Sequence, residues 1–569
     1  MKMTRRFFAL ALALVMILGL ATTAFAAEGD YTITITNSDS ISSAGHKYYA
    51  YQIFGGKLDS TGTILSDIEW GENIVDGNAF IAALKGETAF GEGEANIFYN
   101  ATTAAQVATL MAKTENQTST KIEAFAKVAT ARVVTDGVAA VASSTQNDAP
   151  YTITIPAAKP GYYLVKDTLI DTTAENKDIS DFILQVVGNV SVEHKGSIPT
   201  MDKQVSETGS TYHDSVPTGV NETHYYRIVA ELPDDYRLYD NYYLEFSDKM
   251  SVGLTYDAIV EVKALIRSSG ATLTIDPACY TVSTSTLSDP DNSLFDGGTH
   301  LQVVIQDTKV ITTTAGEIIT LTAEDAIEVI YTAHVNAAAV IDGNGIPNTA
   351  TIIYSNDPNT DGKGKTHPDE TNVYPINLDI VKTDSTGNIK LAGAKFVLAR
   401  NYSHGTDSHY EYAVLDAEGK ISKWVHHIDG VCDCTNESDI ALHAGQGAAT
   451  VLESDNEGRI DVDGLKPGRY TLIEIEAPNG YNMLAEPVEL SVSITIDEVG
   501  DKIATMTGNT NIGSIDFDVA SATVKIVIPN HAGDLLPSTG GMGTTLFYVF
   551  GTLMVAAAAV LLITKKRMA

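Results

Sequence analysis

Short segments in which apolar and polar residues alternate recur along most of this 569-residue chain. Val, Ile, Thr and Tyr are frequent in these segments, and Gly, Asn, Asp and Pro lie between them. Because successive side chains of a strand point to opposite faces of a sheet, this period of two predicts half-buried strands. Clear examples are residues 31–35, 151–155, 301–305 and 523–528.

Helical periodicity is concentrated in the first third of the chain, at residues 79–84, 104–113 and 121–131. Many short strands with turn residues between them favour β-sandwiches arranged in series. We therefore predict a mainly β fold of tandem Ig-like β-sandwich domains, with some helix in the N-terminal domain.

Two Pro-containing stretches, residues 195–199 and 356–375, interrupt the strand pattern and predict domain boundaries near residues 196 and 375. A third stretch, 401–449, is polar and indicates a loop-like insertion. The predicted organisation is an N-terminal domain, a middle domain and a C-terminal domain, between two segments that do not belong to the fold. The bounds are 1–26 for the leader, 27–196, 197–375 and 376–534 for the domains, and 535–569 for the tail.

The leader has the features of a secretory signal peptide. Lys2, Arg5 and Arg6 precede a 14-residue apolar run, 7–20, and Ala24-Phe25-Ala26 places small residues at the cleavage spacing. Such a run is too short to span a membrane. The chain is therefore expected to be exported.

The tail combines a pentapeptide, an apolar run and a basic end. Residues 546–563 are 18 uncharged apolar or small residues, about enough for one membrane helix, and Lys565-Lys566-Arg567 would hold its end in the cytoplasm. The pentapeptide Leu536-Pro537-Ser538-Thr539-Gly540 then lies just outside the membrane. An ordinary membrane anchor with a chance pentapeptide is the alternative.

This tail resembles the LPXTG cell-wall sorting signal of Gram-positive surface proteins. The resemblance implies that a sortase cleaves between Thr539 and Gly540 and transfers the Thr539 carboxyl to an amine. The implied partners are sortases and peptidoglycan, and the membrane would hold the chain only before sorting. The implied location is the cell wall or cell surface.

Charge and cysteine content limit what the mature chain can do. Removing residues 1–26 and 540–569 takes away six basic and no acidic residues, so the net charge falls from −35 to −41. Such acidity argues against nucleic acid as a partner. The three cysteines, Cys279, Cys432 and Cys434, are too few for a disulfide framework.

Three polar residues fall on the apolar face of predicted strands in the C-terminal domain. Lys382 aligns with Leu378 and Ile380, Asn530 aligns with Val524, Ile526 and Ile528, and Glu474 aligns with Tyr470 and Leu472. The middle domain repeats the pattern in the same order with Lys203, Asp248 and Asn348. Burying a lone charge costs several kcal/mol unless the group is paired or neutral.

An amide bond within each domain would explain both sets. Burial favours a neutral, nucleophilic lysine and a protonated carboxylic acid. The acid would hydrogen-bond to the Asn carbonyl and polarise it, and would then move protons as ammonia leaves. The product would be a Lys–Asn isopeptide bond. The alternative is that both lysines snorkel at strand ends and form ordinary salt bridges.

The surrounding motifs resemble those of CnaB-type domains in Gram-positive pilins. Residues 470–481, YTLIEIEAPNGY, match the E-box pattern YxLxExxAPxGY, and residues 391–396, LAGAKF, match a second-strand motif. Residues 246–256 and 347–350 resemble the Asp and Asn segments of the middle pilin domain. The whole chain looks like a sortase-assembled backbone pilin with CnaA/CnaB-type domains.

The resemblance assigns roles to individual residues. Glu474 would promote the Lys382–Asn530 bond, and Asp248 would promote the Lys203–Asn348 bond. Backbone pilins also carry an acceptor lysine, usually in a YPK-like motif, at the end of the first domain. The matching segment here is Glu193-His194-Lys195-Gly196, so Lys195 is the expected acceptor, although His194 replaces the proline and no tyrosine precedes it. A solvated boundary lysine is the alternative.

The remaining motifs carry less chemistry. Asp357-x-Asn359-x-Asp361-Gly362 imitates a calcium loop, but Pro368 stands where an EF-hand needs Glu, so a turn is favoured. His426, His427, Cys432 and Cys434 could bind metal or form a local disulfide, with a solvated loop as the default. Walker A, H-E-x-x-H and G-x-S-x-G motifs are absent from the sequence.

We therefore expect no metal, no cofactor and no enzymatic turnover. Two function classes remain open. The first is a structural backbone subunit of a covalent, wall-anchored pilus that supports adhesion, with pilus-class and housekeeping sortases and other pilin subunits as partners. The second is a monomeric wall-anchored adhesin that binds a host, matrix or other extracellular ligand.

Overall fold

The computed structural model describes most of the chain between residues 30 and 533. The described residues are 30–36, 45–59, 65–156, 159–170, 175, 177–179, 181–194, 197–404, 407–430, 446–496, 502–533, 552 and 554–555. The leader, Lys195, Cys432, Cys434 and the pentapeptide 536–540 lie outside them. Within the described residues, no helix is both long and apolar enough to cross a membrane.

The chain forms two compact units. The first unit comprises residues 1–216, 222–340 and 345–373, and the second comprises 217–221, 341–344 and 374–569. The predicted boundary at residue 196 falls inside the first unit, and the division into three domains stays a prediction.

The N-terminal part of the first unit has two sheets and three helices. Strand order is β5-β1-β8 in one sheet and β3-β2-β6-β7 in the other, with β4 paired to β2. Asp76, Thr103 and Thr118 cap the helix N-termini with their side chains, which satisfies backbone N–H groups that a helix leaves free. The elements are β1 (Tyr31–Thr36), β2 (His46–Leu58), β3 (Leu65–Trp70), α1 (Gly77–Gly86), α2 (Ala104–Met111), α3 (Ser119–Thr135), β4 (Ala142–Ser143), β5 (Tyr151–Ile155), β6 (Gly161–Leu169), β7 (Phe182–Val186) and β8 (Val190–Glu193), with single 3-10 turns at Thr88–Phe90, Gly93–Ala95 and Thr114–Asn116.

The rest of the first unit contains two larger sheets. One has the order β14-β13-β17-β11-β9, and the other has the order β10-β20-β18-β12-β16-β15, with β19 paired to β18. The strands are β9 (Thr200–Ser206), β10 (Ser215–Pro217), β11 (Thr223–Glu231), β12 (Leu244–Met250), β13 (Leu254–Ile266), β14 (Ala271–Thr274), β15 (Thr281–Thr286), β16 (Thr299–Ile305), β17 (Ala326–Val335), β18 (Ile346–Ser355), β19 (Lys363–Lys365) and β20 (Asp369–Tyr374), with 3-10 turns at Tyr236–Leu238, Pro277–Cys279 and Thr308–Val310.

The second unit is built from two sheets around one apolar core. Strand order is β26-β21-β31-β30 in one sheet and β24-β23-β22-β27-β28-β29 in the other, with β25 paired to β22. The first and last strands, β21 and β31, are parallel neighbours. The strands are β21 (Ile376–Asp384), β22 (Lys395–His404), β23 (Asp407–Leu415), β24 (Ile421–Val425), β25 (Leu452–Glu453), β26 (Arg459–Leu465), β27 (Arg469–Glu476), β28 (Val488–Ile496), β29 (Lys502–Gly508), β30 (Ser514–Asp518) and β31 (Thr523–Asn530).

The predicted fold class is confirmed, since the chain is mainly β with helices in its N-terminal part. The loop-like insertion expected at 401–449 is wrong for residues 401–404 and for most of 407–425. There β22 continues to His404, and β23 and β24 extend the sheet. Ala413, Ile421 and Val425 are buried, so widely spaced apolar residues suffice to hold these polar strands.

Candidate cross-link sites

The structure brings Lys382, Asn530 and Glu474 together in the core of the second unit. Lys382 lies in β21 and Asn530 ends the neighbouring parallel strand β31, while Glu474 lies in β27 of the facing sheet. Lys382 and Asn530 have no exposed surface, and Glu474 is 6% exposed. The inward alternation of apolar residues in each strand places these polar side chains in the core.

The carboxylate of Glu474 contacts the amide nitrogen of Asn530. Asn530 Nδ2 donates to Glu474 Oε1 at 2.8 Å and to the Asn482 carbonyl at 3.1 Å. The backbone N–H of Leu484 donates to Glu474 Oε2 at 2.7 Å. Asn530 Oδ1 is buried without a hydrogen-bond partner among the described residues. The sequence predicted that the Glu474 carboxyl would hydrogen-bond to the amide oxygen of Asn530. In the structure the carboxylate instead contacts the amide nitrogen.

The Lys382 amine is held next to the end of β31. Its Nζ donates to the Ile528 carbonyl at 2.8 Å. Burial lowers the pKa of Lys382 to about 8, although the charge of Glu474 opposes this shift. The side chain does not reach solvent, so the snorkelling alternative is wrong for this lysine. A substantial fraction of the amine is therefore neutral near physiological pH.

In the middle part of the first unit, Lys203, Asp248 and Asn348 also converge. Lys203 lies in β9 of one sheet, whereas Asp248 in β12 and Asn348 in β18 belong to the facing sheet. All three side chains are buried. A bond between Lys203 and Asn348 would therefore join two sheets, whereas Lys382 and Asn530 lie in neighbouring strands of one sheet.

A fourth residue, Tyr331 of β17, occupies the centre of this site. Its hydroxyl donates to Asp248 Oδ2 at 2.9 Å and accepts from Lys203 Nζ at 3.0 Å and from Asn348 Nδ2 at 2.7 Å. Lys203 also forms a short ion pair with Asp248. The sequence interpretation missed Tyr331, although its inward register in β17 was a signal, because a buried tyrosine hydroxyl needs a polar partner.

Burial perturbs both charged groups of the middle site. It lowers the pKa of Lys203, against the opposing charge of Asp248, and it raises the pKa of Asp248, against the charge of Lys203. Both directions favour transfer of a proton from the amine to the carboxylate. Lys203, like Lys382, does not snorkel.

The N-terminal part of the first unit contains a different buried polar cluster. His46 Nδ1 lies 2.9 Å from Asp167 Oδ2, and His194 Nδ1 lies 2.9 Å from the Tyr48 hydroxyl and 3.5 Å from Asp167 Oδ2. His194 directly precedes the expected acceptor Lys195. Val190, Val192 and His194 are more buried than Ser191 and Glu193, which lie between them. The backbone is therefore anchored one residue before Lys195.

This cluster predicts a loss of stability in acid. Burial, and then the nearby His46, lower the pKa of His194 to about 3, while an unfolded histidine titrates near 6.5. The stabilising effect of keeping this ring neutral is complete above about pH 6.5 and is lost progressively as the pH falls towards 3. At pH 5 the loss is about 2 kcal/mol. Tyr48, Asp167 and His46 face the ring.

Denaturant unfolding at pH 7.5 and pH 5 checks this expectation. The difference in unfolding free energy between the wild type and His194→Asn should shrink by that amount at pH 5. His213→Asn replaces an exposed histidine of the same unit and should leave the pH dependence unchanged. A difference for His194→Asn that does not vary with pH would contradict the assignment.

The structure describes the calcium-like motif and part of the His/Cys motif. Asp357 accepts hydrogen bonds from the Asn359 N–H at 2.9 Å and the Thr360 hydroxyl at 2.7 Å, which is the geometry of a self-capped turn. His426 contacts His409 at 3.0 Å and lies 3.5 Å from Glu411. Cys432 and Cys434 lie outside the described residues, so the local disulfide and metal alternatives stay predictions.

Two family models match the chain. Residues 376–510 match SpaA, described as a prealbumin-like fold domain, and residues 528–569 match the LPXTG cell wall anchor motif. The chain is also 24% identical over 461 residues to the trypsin-resistant surface T6 protein of Streptococcus pyogenes serotype M6. The aligned region covers 69% of this chain and 73% of the T6 protein.

Solved pilin structures are similar in fold. The T6 backbone pilin of serotype M6 Streptococcus pyogenes has a TM-score of 0.45 and is 16% identical in sequence. The matched region covers 90% of this chain and 100% of the T6 pilin chain. The full-length major pilin SpaD from Corynebacterium diphtheriae has a TM-score of 0.40 and is 15% identical in sequence. The matched region covers 90% of this chain and 99% of the SpaD chain.

The anchor motif makes the chain a cell-wall-anchored surface protein. The SpaA-type domain and the sequence similarity to the T6 protein support a sortase-assembled pilin as the class of this protein. Its function is that of a structural pilus subunit rather than an enzyme, and sortase processing, wall attachment and polymerisation follow from this class.

Proposed function

We propose that this chain is the backbone subunit of a covalent pilus that is also cross-linked within each unit. Thr539 of one copy would be joined to Lys195 of the next, and Lys382–Asn530 and Lys203–Asn348 would form isopeptide bonds. The observation that carries the proposal is the repeated burial of a lysine with an asparagine and a carboxyl group, in a chain that ends in a sorting signal.

The bond in the second unit would form by direct aminolysis. The neutral Lys382 Nζ attacks Asn530 Cγ, so that a C–N bond to lysine forms and the Cγ–Nδ2 bond breaks. Glu474, which already contacts Nδ2, takes the proton that the amine loses and passes it to the leaving nitrogen. An amine and a primary amide thus give a secondary amide and ammonia, without an external reactant.

The bond between copies would need an enzyme. A pilus-class sortase would cleave after Thr539, hold its carboxyl as a thioester and release the segment that begins with Gly540. The Lys195 amine of another copy would then displace the sortase cysteine and form an amide. A housekeeping sortase would finally transfer the Thr539 carboxyl of the last subunit to peptidoglycan. Host or matrix binding would be a property of the assembled fibre.

The acceptor assignment is tested in cell-wall extracts boiled in denaturant. Wild-type extracts should show a ladder of high-molecular-weight species, because amide bonds survive boiling. Lys195→Ala should abolish the ladder and leave monomer attached to the wall, since Thr539 remains intact. Lys113→Ala, which removes an exposed lysine from the same part of the chain, should leave the ladder unchanged.

The other outcomes are equally decisive. A ladder that persists in Lys195→Ala would place the acceptor on another lysine. A wild-type extract that contains only wall-linked monomer would favour the monomeric adhesin and overturn the polymer. Mass spectrometry of the branched peptide that joins residues 195 and 539 would confirm the linkage directly.

A further inference from the structure

We propose that Tyr331 is a catalytic residue of the middle site, where its hydroxyl relays a proton between Lys203, Asp248 and Asn348. This inference rests on the proposed Lys203–Asn348 bond and adds a fourth residue to it.

The hydroxyl of Tyr331 is the one atom of the site that hydrogen-bonds to all three partners. It accepts from Lys203 Nζ at 3.0 Å and from Asn348 Nδ2 at 2.7 Å, and it donates to Asp248 Oδ2 at 2.9 Å. A phenol has one proton to donate and two lone pairs with which to accept, so its capacity is fully used. The hydroxyl therefore connects the nucleophile, the acid and the leaving nitrogen.

The Asp248 carboxyl group has no direct hydrogen bond to the leaving nitrogen of Asn348, so a bridging group is needed. In the second unit, Asn530 Nδ2 donates directly to Glu474 at 2.8 Å. In the middle site, the described contacts of Asn348 Nδ2 include the Tyr331 hydroxyl but no bond to Asp248, and Asp248 Oδ1 has no partner among the described residues. The Tyr331 hydroxyl thus bridges the gap between the carboxyl and the nitrogen that must leave.

The proton balance of the step is complete. Lys203 gives one proton to Asp248 across their ion pair, and the neutral Nζ attacks Asn348 Cγ. As the Cγ–Nδ2 bond breaks, Tyr331 donates its proton to Nδ2 and recovers a proton from the protonated Asp248. The second Nζ proton returns to Asp248 or follows the departing ammonia. One amide bond forms, one breaks, and the phenol is unchanged at the end.

The surroundings keep this hydroxyl neutral and in place. Tyr331 is fully buried, and its ring stacks on Tyr226 with centroids 5.3 Å apart and planes inclined by 10°. Burial and the charge of Asp248 raise the pKa of Tyr331 well above its usual value. The phenol therefore passes protons through its hydrogen bonds and does not ionise in the resting site.

Tyr331→Phe tests the relay because it removes the hydroxyl and keeps the ring. The full mature chain is purified soon after synthesis, and the cross-linked peptides of both sites are quantified over time by mass spectrometry of digests. We expect Lys203–Asn348 formation to slow at least about tenfold, within the usual contribution of one acid–base group. The Lys382–Asn530 bond, formed in the same molecules, serves as an internal reference and should form at the wild-type rate.

Tyr226→Phe is the matched control. Tyr226 is also fully buried and packs on the same ring, but its hydroxyl has no hydrogen-bond partner among the described residues. This variant should cross-link at the wild-type rate.

Four results would overturn an assignment: one rules out the proposed bond, and the other three rule out the relay. Wild-type protein that lacks the Lys203–Asn348 bond would sink the proposed function of the middle site. Formation of the Lys203–Asn348 bond at the wild-type rate in Tyr331→Phe would contradict the relay but leave the proposed bond intact. Loss of the near-ultraviolet circular dichroism signal in Tyr331→Phe, or equal slowing in Tyr226→Phe, would show a packing role and would also sink the relay.

Discussion

Replacing Glu474 with Gln should lower the melting temperature of the second unit by about 10–20 °C. Gln keeps the size of the side chain but cannot carry a proton, so the Lys382–Asn530 bond should not form. Asn530 follows Lys382 by 148 residues, and a covalent closure of that size stabilises the folded state by about 5 kcal/mol in the chain-entropy model. Each kcal/mol corresponds to about 2–4 °C in a domain of this size.

Calorimetry of the full mature chain and its intact mass measure this effect together. Once the small mass difference between Glu and Gln is subtracted, Glu474→Gln should retain the one ammonia that the wild type loses, and its lower transition should belong to the second unit. Glu476→Gln is the control, because Glu476 lies two residues further along the same strand and is exposed to solvent in an ion pair with Lys395. A Glu474→Gln protein that has lost the same ammonia as the wild type would show that the bond forms without this carboxyl.

Under mechanical load, the second unit should extend hardly at all in the wild type and by roughly 500 Å in Lys382→Ala. Force enters near β21 and leaves after β31, so a Lys382–Asn530 bond would carry the load past the 148 residues between them. Without the bond those residues unfold, at about 3.3–3.6 Å each. Single-molecule pulling of the full mature chain measures the length released.

The matched variant for this experiment is Lys525→Ala, which removes an exposed lysine from the same strand as Asn530. It should extend as little as the wild type. A wild-type protein that releases the full length of the second unit would contradict the cross-link. The first unit should differ, because β19, β20 and most of β18 follow Asn348 and are not bypassed by a bond to Lys203.

The sequence predicted much of both sites because strand alternation is a local signal. Lys382, Asn530, Lys203 and Asn348 each stand in register with apolar neighbours, and that register alone places them in a core. The pairing of strands is not local. The sequence did not reveal that Lys203 and Asn348 lie in facing sheets while Lys382 and Asn530 lie in adjacent strands.

The hydrogen-bond partners that determine the chemistry of each site could not be predicted from the sequence. Tyr331 is 83 residues from Asp248 in the chain, and nothing in its own segment indicates which polar groups its hydroxyl meets. The orientation of the Asn530 amide depends on the Asn482 carbonyl, which belongs to a turn between strands. The strands at 401–425 were missed because their polar composition resembles that of a loop. Ala413 and Ile421 anchor them in the core, and Val425 packs in a separate small cluster with Val397 and Ala449.

The parallel pairing of β21 and β31 affects the subunit even before any cross-link forms. Eight residue pairs, from Asn377 opposite Thr523 to Asp384 opposite Asn530, align the two strands. Tension on the start of β21 and the end of β31 loads these strands in shear, so their hydrogen bonds must fail together rather than one at a time. A newly exported subunit would therefore resist extension while its lysine and asparagine are held next to each other, which gives a slow, single-turnover reaction time to finish.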